Sequence, residues 1–267
     1  MSTAPDKTVQ AGRPLNVMAV TSGKGGVGKT FLSANLAAAL VRRGERVLVL
    51  DADLGLANLD VVLNLQPRLT LHDVFTGAGR LEDAILPAPG GFSVLLAGSG
   101  LIEYSRLTAQ VREQLVEITG VLAPRYDRVI IDTGAGISDV VLHAVSLAGE
   151  VLVIATPEPT SMADAYATIK VLAMQQGRRA IRLVVNQVSE NGEGRTIRNQ
   201  LQLVVDRFVA PQLAAAGGPP LQIEFLGEIP TDPSVRDAVQ QRSLLLDSLP
   251  GSVAARAVMA IAARVAG

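Results

Sequence analysis

Eight consecutive residues concentrate the chemistry of this chain: Gly23, Lys24, Gly25, Gly26, Val27, Gly28, Lys29 and Thr30. Glycines at this spacing let successive backbone N–H groups turn toward one anion without obstruction by a Cβ. Lys29 is then placed to bridge the β and γ phosphates of a nucleoside triphosphate, and the Thr30 hydroxyl to ligate Mg²⁺. Phe31 follows at the start of a helical pattern, whose positive dipole end completes an anion cradle. Lys24 sits inside the glycine run, where phosphate binding alone does not require a second lysine. Lysine is scarce here, only Lys7, Lys24, Lys29 and Lys170, so two of four within six residues is a concentration of function rather than of surface charge.

Phosphoryl transfer also needs carboxylates near a metal ion and a group that orients the attacking water. Three aspartates qualify. Asp51 and Asp53 close the apolar run that begins at Val47, and Asp132 closes Val129-Ile130-Ile131, followed by Thr133-Gly134-Ala135-Gly136. A lone aspartate in such a place is ordinarily a cap or turn residue; three of them after successive apolar runs point to a shared site. Asn186 ends another such run, Val184-Val185, and its side chain offers a purine edge both a donor and an acceptor. An Asn-Lys-x-Asp stretch, which reads guanine, is absent, so ATP is the expected nucleotide.

The elements that must position these residues follow from hydrophobic period. Short Val/Ile/Leu runs at 15–21, 46–51, 92–97, 128–132, 150–156, 181–186 and 224–229 read as buried parallel strands. Between and after them, 31–43, 108–122, 160–175, 196–213 and 253–265 carry helical stripes. This alternation predicts an α/β fold: a single doubly wound, mostly parallel sheet with helices on both faces and ligands at the carboxyl ends of its strands. One domain over residues 14–267 is expected, preceded by a flexible leader at 1–13.

Composition narrows the chemistry further. The 267 residues contain no cysteine, which removes disulfides, thiolate nucleophiles and cysteine-ligated metal clusters. Aromatic residues make up only 3%, with no Trp, so no stacking platform for single-stranded nucleic acid is evident. Lys plus Arg number 24 against 25 Asp plus Glu, and this balance argues against strong DNA binding. No apolar run is long enough to span a bilayer, so a cytoplasmic protein is expected.

The glycine loop with its extra lysine is the deviant Walker A pattern, and the chain resembles the MinD/ParA family of P-loop ATPases from Val17 to about Val265. The resemblance implies an ATP-dependent homodimer in which Lys24 reaches the partner's phosphates. It implies that Asp53 positions the attacking water and Asp51 supports Mg²⁺ from the outer shell. It makes Asp132 the Walker B residue, ahead of a switch that reorders when γ-phosphate is lost. Thr30, Asp51, Asp53 and Asp132 are thus the candidate metal set. Asn186, with Pro230 and Asp232 from the Ile229-Pro230-Thr231-Asp232 loop, is implied to surround adenine.

Leu54 to Asp60 looks like the MinD branch, while Asp132 to Asp139 and Pro157 to Tyr166 resemble the FlhG (FleN) branch, which controls flagellar number and placement. That branch implies a FleQ-like transcriptional activator, an FlhF-type GTPase or flagellar switch-complex proteins as partners, and transient visits to the inner membrane or cell pole. It also places Glu158 and Asp164 at dimer and partner contacts. The branch's GTPase-stimulating Asp-Gln-Ala-x-x-Leu-Arg helix is not matched at 6–12. Its basic, bulky membrane helix is replaced at 252–267 by an Ala-rich stretch with two arginines, which reads as a core helix with weak or absent membrane binding.

A competing reading is a ParA- or MinD-type ATPase that positions DNA, a division site or another complex. Arg178, Arg179, Arg182, Arg195 and Arg198 would supply its basic patch; a solvated helix face is the blander expectation for them.

Overall fold

Strands that must bury both faces need helices above and below them, and the chain supplies both layers. A computed structural model describes residues 16–54, 58–98 and 108–267. Its first part runs β1 (Val17–Ser22), α1 (Lys29–Val41), β2 (Val47–Ala52), the short helices α2 (Leu59–Leu63), α3 (Leu71–Phe75) and α4 (Leu81–Ala84), then β3 (Ile85–Pro87) and β4 (Ser93–Leu95). The middle part is α5 (Ala109–Leu122), β5 (Arg128–Ala135), α6 (Asp139–Ser146), β6 (Glu150–Ala155), α7 (Pro159–Gln175) and β7 (Ala180–Val188). The chain continues through α8 (Glu193–Phe208), α9 (Ala210–Ala215), β8 (Gln222–Pro230), α10 (Pro233–Gln240), α11 (Leu245–Ser248) and α12 (Val253–Val265).

The eight strands form one sheet in the order β3-β4-β2-β5-β1-β6-β7-β8, parallel throughout except for the antiparallel pair β3 and β4. From central β1 the chain first moves outward to β2 and later outward in the other direction through β6. Such a reversal opens a crevice beyond the carboxyl ends of the strands. Successive side chains alternate between the two layers. Val17 and Ala19 pack with α5, α6, α7 and α8, whereas Met18 and Val20 pack with α1, α11 and α12. The doubly wound α/β architecture expected from the sequence is the one observed.

Helix α1 is buried along almost its whole length, Phe31 through Leu40, and α12 lies over it. Alanines on both helices, Ala34 and Ala37 to Ala39 facing a layer that includes Ala254, Ala255 and Ala262, allow a close approach. The Ala-rich terminal segment is therefore a core helix.

All seven expected strands are present. β3 was not expected; its three residues are too few to show a period. Eight-residue α6 and α10 escaped notice for the same reason. The helix expected over 196–213 breaks near Val209, because Pro211 cannot donate into a continuing helix and instead enters the first turn of α9. The leader at 1–13 and the Gly55-Leu56-Ala57 part of the segment compared with the MinD branch lie outside the described residues.

Candidate nucleotide site

The glycine loop joins the end of β1 to the start of α1, at the crevice the topology creates. Gly28 caps α1 in the left-handed region (φ 94°), and a Cβ there would also strike the Asn186 amide. Gly23 is required for a different reason: the backbone of Asp164 on α7 presses against it, and a Cβ would collide with that backbone. With no acidic residue in its first turn and no side-chain cap, α1 presents its N-terminal amides to a ligand.

Lys29 is only 9% exposed. Its Nζ donates to Ser22 Oγ at 3.0 Å, and that hydroxyl donates to the Lys24 carbonyl at 2.7 Å, so one serine organises both lysines of the loop. Burial lowers the Lys29 pKa, while the charges of Asp132 and Asp53 act to raise it. A cleft of about 700 Å³ opens here, lined on one wall by Gly25, Gly26 and Gly28 to Phe31, and on the other by Ala52 to Leu54, Asn58, Thr133 to Ala135, Ser138, Val140 and Val141. That is room for a nucleotide.

Asp51 and Asp132 are register partners on β2 and β5, and each is 2% exposed. Asp51 Oδ1 accepts from the Asp53 amide at 3.0 Å, but Oδ2 is buried with no hydrogen-bond partner. Asp132 Oδ1 accepts from Ser33 Oγ at 2.9 Å. Burial pushes the Asp132 carboxyl up to about 6, against the opposing hydrogen bonds of Thr30 and Ser33 and the charge of Lys29. Burial, followed by the neighbouring Asp132, pushes Asp51 well above the usual range. Two desolvated carboxylates side by side, one with an orphaned oxygen, fit a site built for a cation. Among the described residues no three acidic or histidine side chains converge tightly enough to hold a metal unaided. Two buried carboxylates beside the Thr30 hydroxyl fit Mg²⁺, which takes few carboxylates and completes its shell with water and phosphate. Asp53 lines the cleft opposite the loop and faces Gly134, with Oδ1 3.4 Å from where a Cβ on that glycine would lie.

Asn186, Pro230 and Asp232 are not among the residues lining that cleft. Asn186 Nδ2 donates to the Val27 carbonyl at 2.8 Å and its Oδ1 accepts from the Gln187 amide at 2.9 Å, tying β7 to the phosphate loop. Asp232 caps α10 through the Ser234 amide at 2.9 Å and receives the Ala254 amide from α12 at 3.1 Å. Burial works to raise its pKa, yet these amide donors hold the carboxyl below the usual value. Pro230 ends β8 beside Val188. The structure thus gives Asn186 and Asp232 scaffold contacts that their residue types alone did not reveal.

Lys24 points elsewhere. Its Nζ binds Glu158 Oε1 at 2.7 Å and Thr160 Oγ1 at 3.0 Å at the start of α7, the side chain is 36% exposed, and it does not line the cleft.

Sequence reasoning missed Ser22, Ser33 and Thr160. Ser33 had a legible signal: it follows Thr30 by three residues and Lys29 by four, which puts all three on one helical face.

Four of the five arginines do not belong to a solvated helix face, which corrects the expectation for them; only Arg195, on α8, is exposed. Arg178 is 6% exposed and donates to the carbonyls of Val145, Ala148 and Gly149. Arg179 donates to Ala173, Arg182 pairs with Glu150 and Glu224, Arg198 donates to Ile223, and Arg195 lies over the Phe225 ring. Backbone carbonyls and glutamates that no local period announces have claimed all of them but Arg195.

Residues 18–245 match the family model described as the CobQ/CobB/MinD/ParA nucleotide binding domain. The antiactivator FleN of Pseudomonas aeruginosa is 41% identical over 252 residues, 94% of this chain and 86% of that protein. The flagellum site-determining protein YlxH of Helicobacter pylori is 32% identical over 247 residues, 92% of this chain and 80% of that protein. Among solved structures, the septum site-determining protein MinD of Pyrococcus horikoshii, complexed with Mg-ADP, matches with a TM-score of 0.72 at 28% identity, covering 94% of this chain and 95% of that one.

Proposed function

The chain belongs to the CobQ/CobB/MinD/ParA family of nucleotide-binding proteins, and on that premise we propose that it is an ATP-dependent dimerising switch that regulates flagellar number or placement. It is an ATPase of the MinD/ParA type, using ATP with Mg²⁺. In the proposed cycle ATP favours the dimer, and hydrolysis returns it to monomer.

Each residue has a role in that cycle. The loop amides and the α1 N-terminus bind the phosphates, and Lys29 exchanges the Ser22 hydroxyl for the β and γ oxygens. Thr30 and Asp132 hold the metal, with Asp51 behind them. Mg²⁺ held there would supply neutralisation of the charge that develops in phosphoryl transfer. Asp53 orients the attacking water. Asn186 keeps the loop in register with β7 and, with Pro230 and Asp232, borders the adenine side.

The observation that supports the dimer is the placement of Lys24: this lysine of the phosphate loop is half-exposed and turned away from its own cleft, and its surface contacts with Glu158 and Thr160 cost little to exchange for a partner's phosphates. Supplying a cation in trans in this way is worth about 10³ to 10⁵ in rate. The experiment is light scattering with ADP and with ATP·Mg²⁺, on wild type and Lys24→Ala, with phosphate release followed in the same samples. A dimer only with ATP, and turnover lost in Lys24→Ala, is the expected result; a monomer in ATP whose turnover survives the substitution overturns it. Asp53→Ala is expected to dimerise in ATP and stay dimeric.

The flagellar assignment is supported by the two flagellar relatives. A FleQ-like transcriptional activator is the first partner to test, followed by an FlhF-type GTPase and switch-complex proteins. The cytoplasm is the proposed location, with transient visits to the inner membrane or cell pole. Among the described residues no helix is long and apolar enough to cross a membrane. The apolar face of α12, with Val258, Ile261 and Val265 buried, is occupied by the core, which supports weak or absent membrane binding. The arginine contacts likewise support the absence of a strong DNA surface.

A further inference from the structure

We propose that Ser33 is a positioning residue for the metal side of the site: its hydroxyl holds one oxygen of Asp132 and leaves the other directed at the cation. The inference rests on Asp132 serving Mg²⁺, as proposed above.

Ser33 is fully buried on α1, a helix whose central turns are otherwise apolar except for Asn35. A hydroxyl in such a place is costly unless it is hydrogen-bonded. The usual local solution is a bond back to the carbonyl one turn earlier. Ser33 instead donates to Asp132 Oδ1, a residue 99 positions away on β5, at 2.9 Å. The other buried polar side chain on the same stretch, Asn35, has a structural explanation: it donates to the Phe31 carbonyl and receives the Leu246 amide. Ser33 has no comparable scaffold contact among the described residues, and its bond goes to a site carboxylate.

The geometry gives that bond a purpose. Asp132 sits opposite Asp51 in register and near Lys29, so an unrestrained carboxylate could turn its charge toward the lysine and away from the metal. With Oδ1 committed to Ser33, and Thr30 bonding the same carboxylate, the rotation of Asp132 is restricted. Lys29, Thr30 and Ser33 share one face of α1, so a single rigid helix sets the phosphate cation, the metal hydroxyl and the orientation of the metal carboxylate together. Partners that orient metal-binding groups in this way typically govern affinity by about 10- to 100-fold.

The test uses the intact protein, a fluorescent ADP analogue and Mg²⁺ titrated against it, with analogue affinity also measured in EDTA. Ser33→Ala is expected to raise the half-saturating Mg²⁺ concentration about 10- to 100-fold while leaving metal-free affinity unchanged. Ser33→Thr, which keeps the donor, is expected to recover most of the loss. Asp132→Asn is the reference. If Asp132→Asn does not change the Mg²⁺ requirement, the metal role of Asp132 fails and the inference with it. If Asp132→Asn weakens Mg²⁺ and Ser33→Ala does not, only the inference is overturned. Equal losses with and without Mg²⁺ in Ser33→Ala would show a packing role and overturn it too.

Discussion

At the amino ends of the strands, charges of opposite sign alternate and close on one another: Glu45 faces Arg128, Arg128 and Arg182 share Glu150, and Arg182 reaches on to Glu224. Arg46 and Asp127 form a further pair beside them, and Arg178 caps three carbonyls below. At the carboxyl ends, Asp51 and Asp132 lie buried in register with an orphaned oxygen, and Lys29 is held by a neutral serine. One rim has paired its charges from within the chain, although Arg128 Nε reaches Glu45 only at 3.6 Å and makes no hydrogen bond. The other leaves like charges together and desolvated, an arrangement that destabilises the free protein and is relieved by what it binds. The same sheet thus separates the part that keeps the fold from the part that has work to do.

Substitutions at the two rims should therefore have opposite signatures. The largest effect is expected at the carboxyl rim. Lys24→Ala should cut turnover by about 10³-fold or more, read as phosphate release, with the melting temperature unchanged. A large fall in melting temperature would erase the distinction between the rims. Next comes Arg178→Ala at the amino rim, which leaves three buried carbonyls without their donor and should cost about 3 kcal/mol in urea unfolding, with nucleotide affinity intact.

Smaller effects sharpen the contrast through pH. Asp132 has its carboxyl pushed from the usual 3.8 up to about 6, so the nucleotide-free protein carries a penalty above pH 6 that is relieved as pH falls from about 6 toward 4. Asp132→Asn should raise stability at neutral pH and flatten that limb, as measured by melting temperature against pH. Asp127 behaves in the opposite sense. Hydrogen bonds from Arg46 lower it to about 2, so its contribution is present above about pH 4 and lost as pH falls toward 2. Asp127→Asn should therefore lower the melting temperature slightly above about pH 4 and leave it unchanged near pH 2, a small effect because the pair is exposed to solvent.

Much of the carboxyl rim could be read from the chain. The loop from Gly23 to Thr30 is a local device, and Asp51, Asp53 and Asp132 each end an apolar run, so residue type and position along the chain were enough to nominate them. The amino rim was hardly legible. Arg178, Arg182 and Arg198 looked like surface charge because their partners, Gly149, Glu150 and Ile223, belong to other strands or to the turns before them. Asn186 was nominated for its amide, but that amide meets Val27, 159 residues earlier.

By itself, then, the sequence determined the elements and the phosphate loop, because hydrophobic period and a glycine run act over a few neighbouring residues. Only the tertiary structure decided that Asp51 stands opposite Asp132, that Ser33 holds one oxygen of that carboxylate, that Asp164 crowds Gly23, and that Lys24 turns toward Glu158. Those outcomes depend on strand order and register between segments far apart in the chain, and no local period encodes which carboxylate will be left facing another in a dry interior.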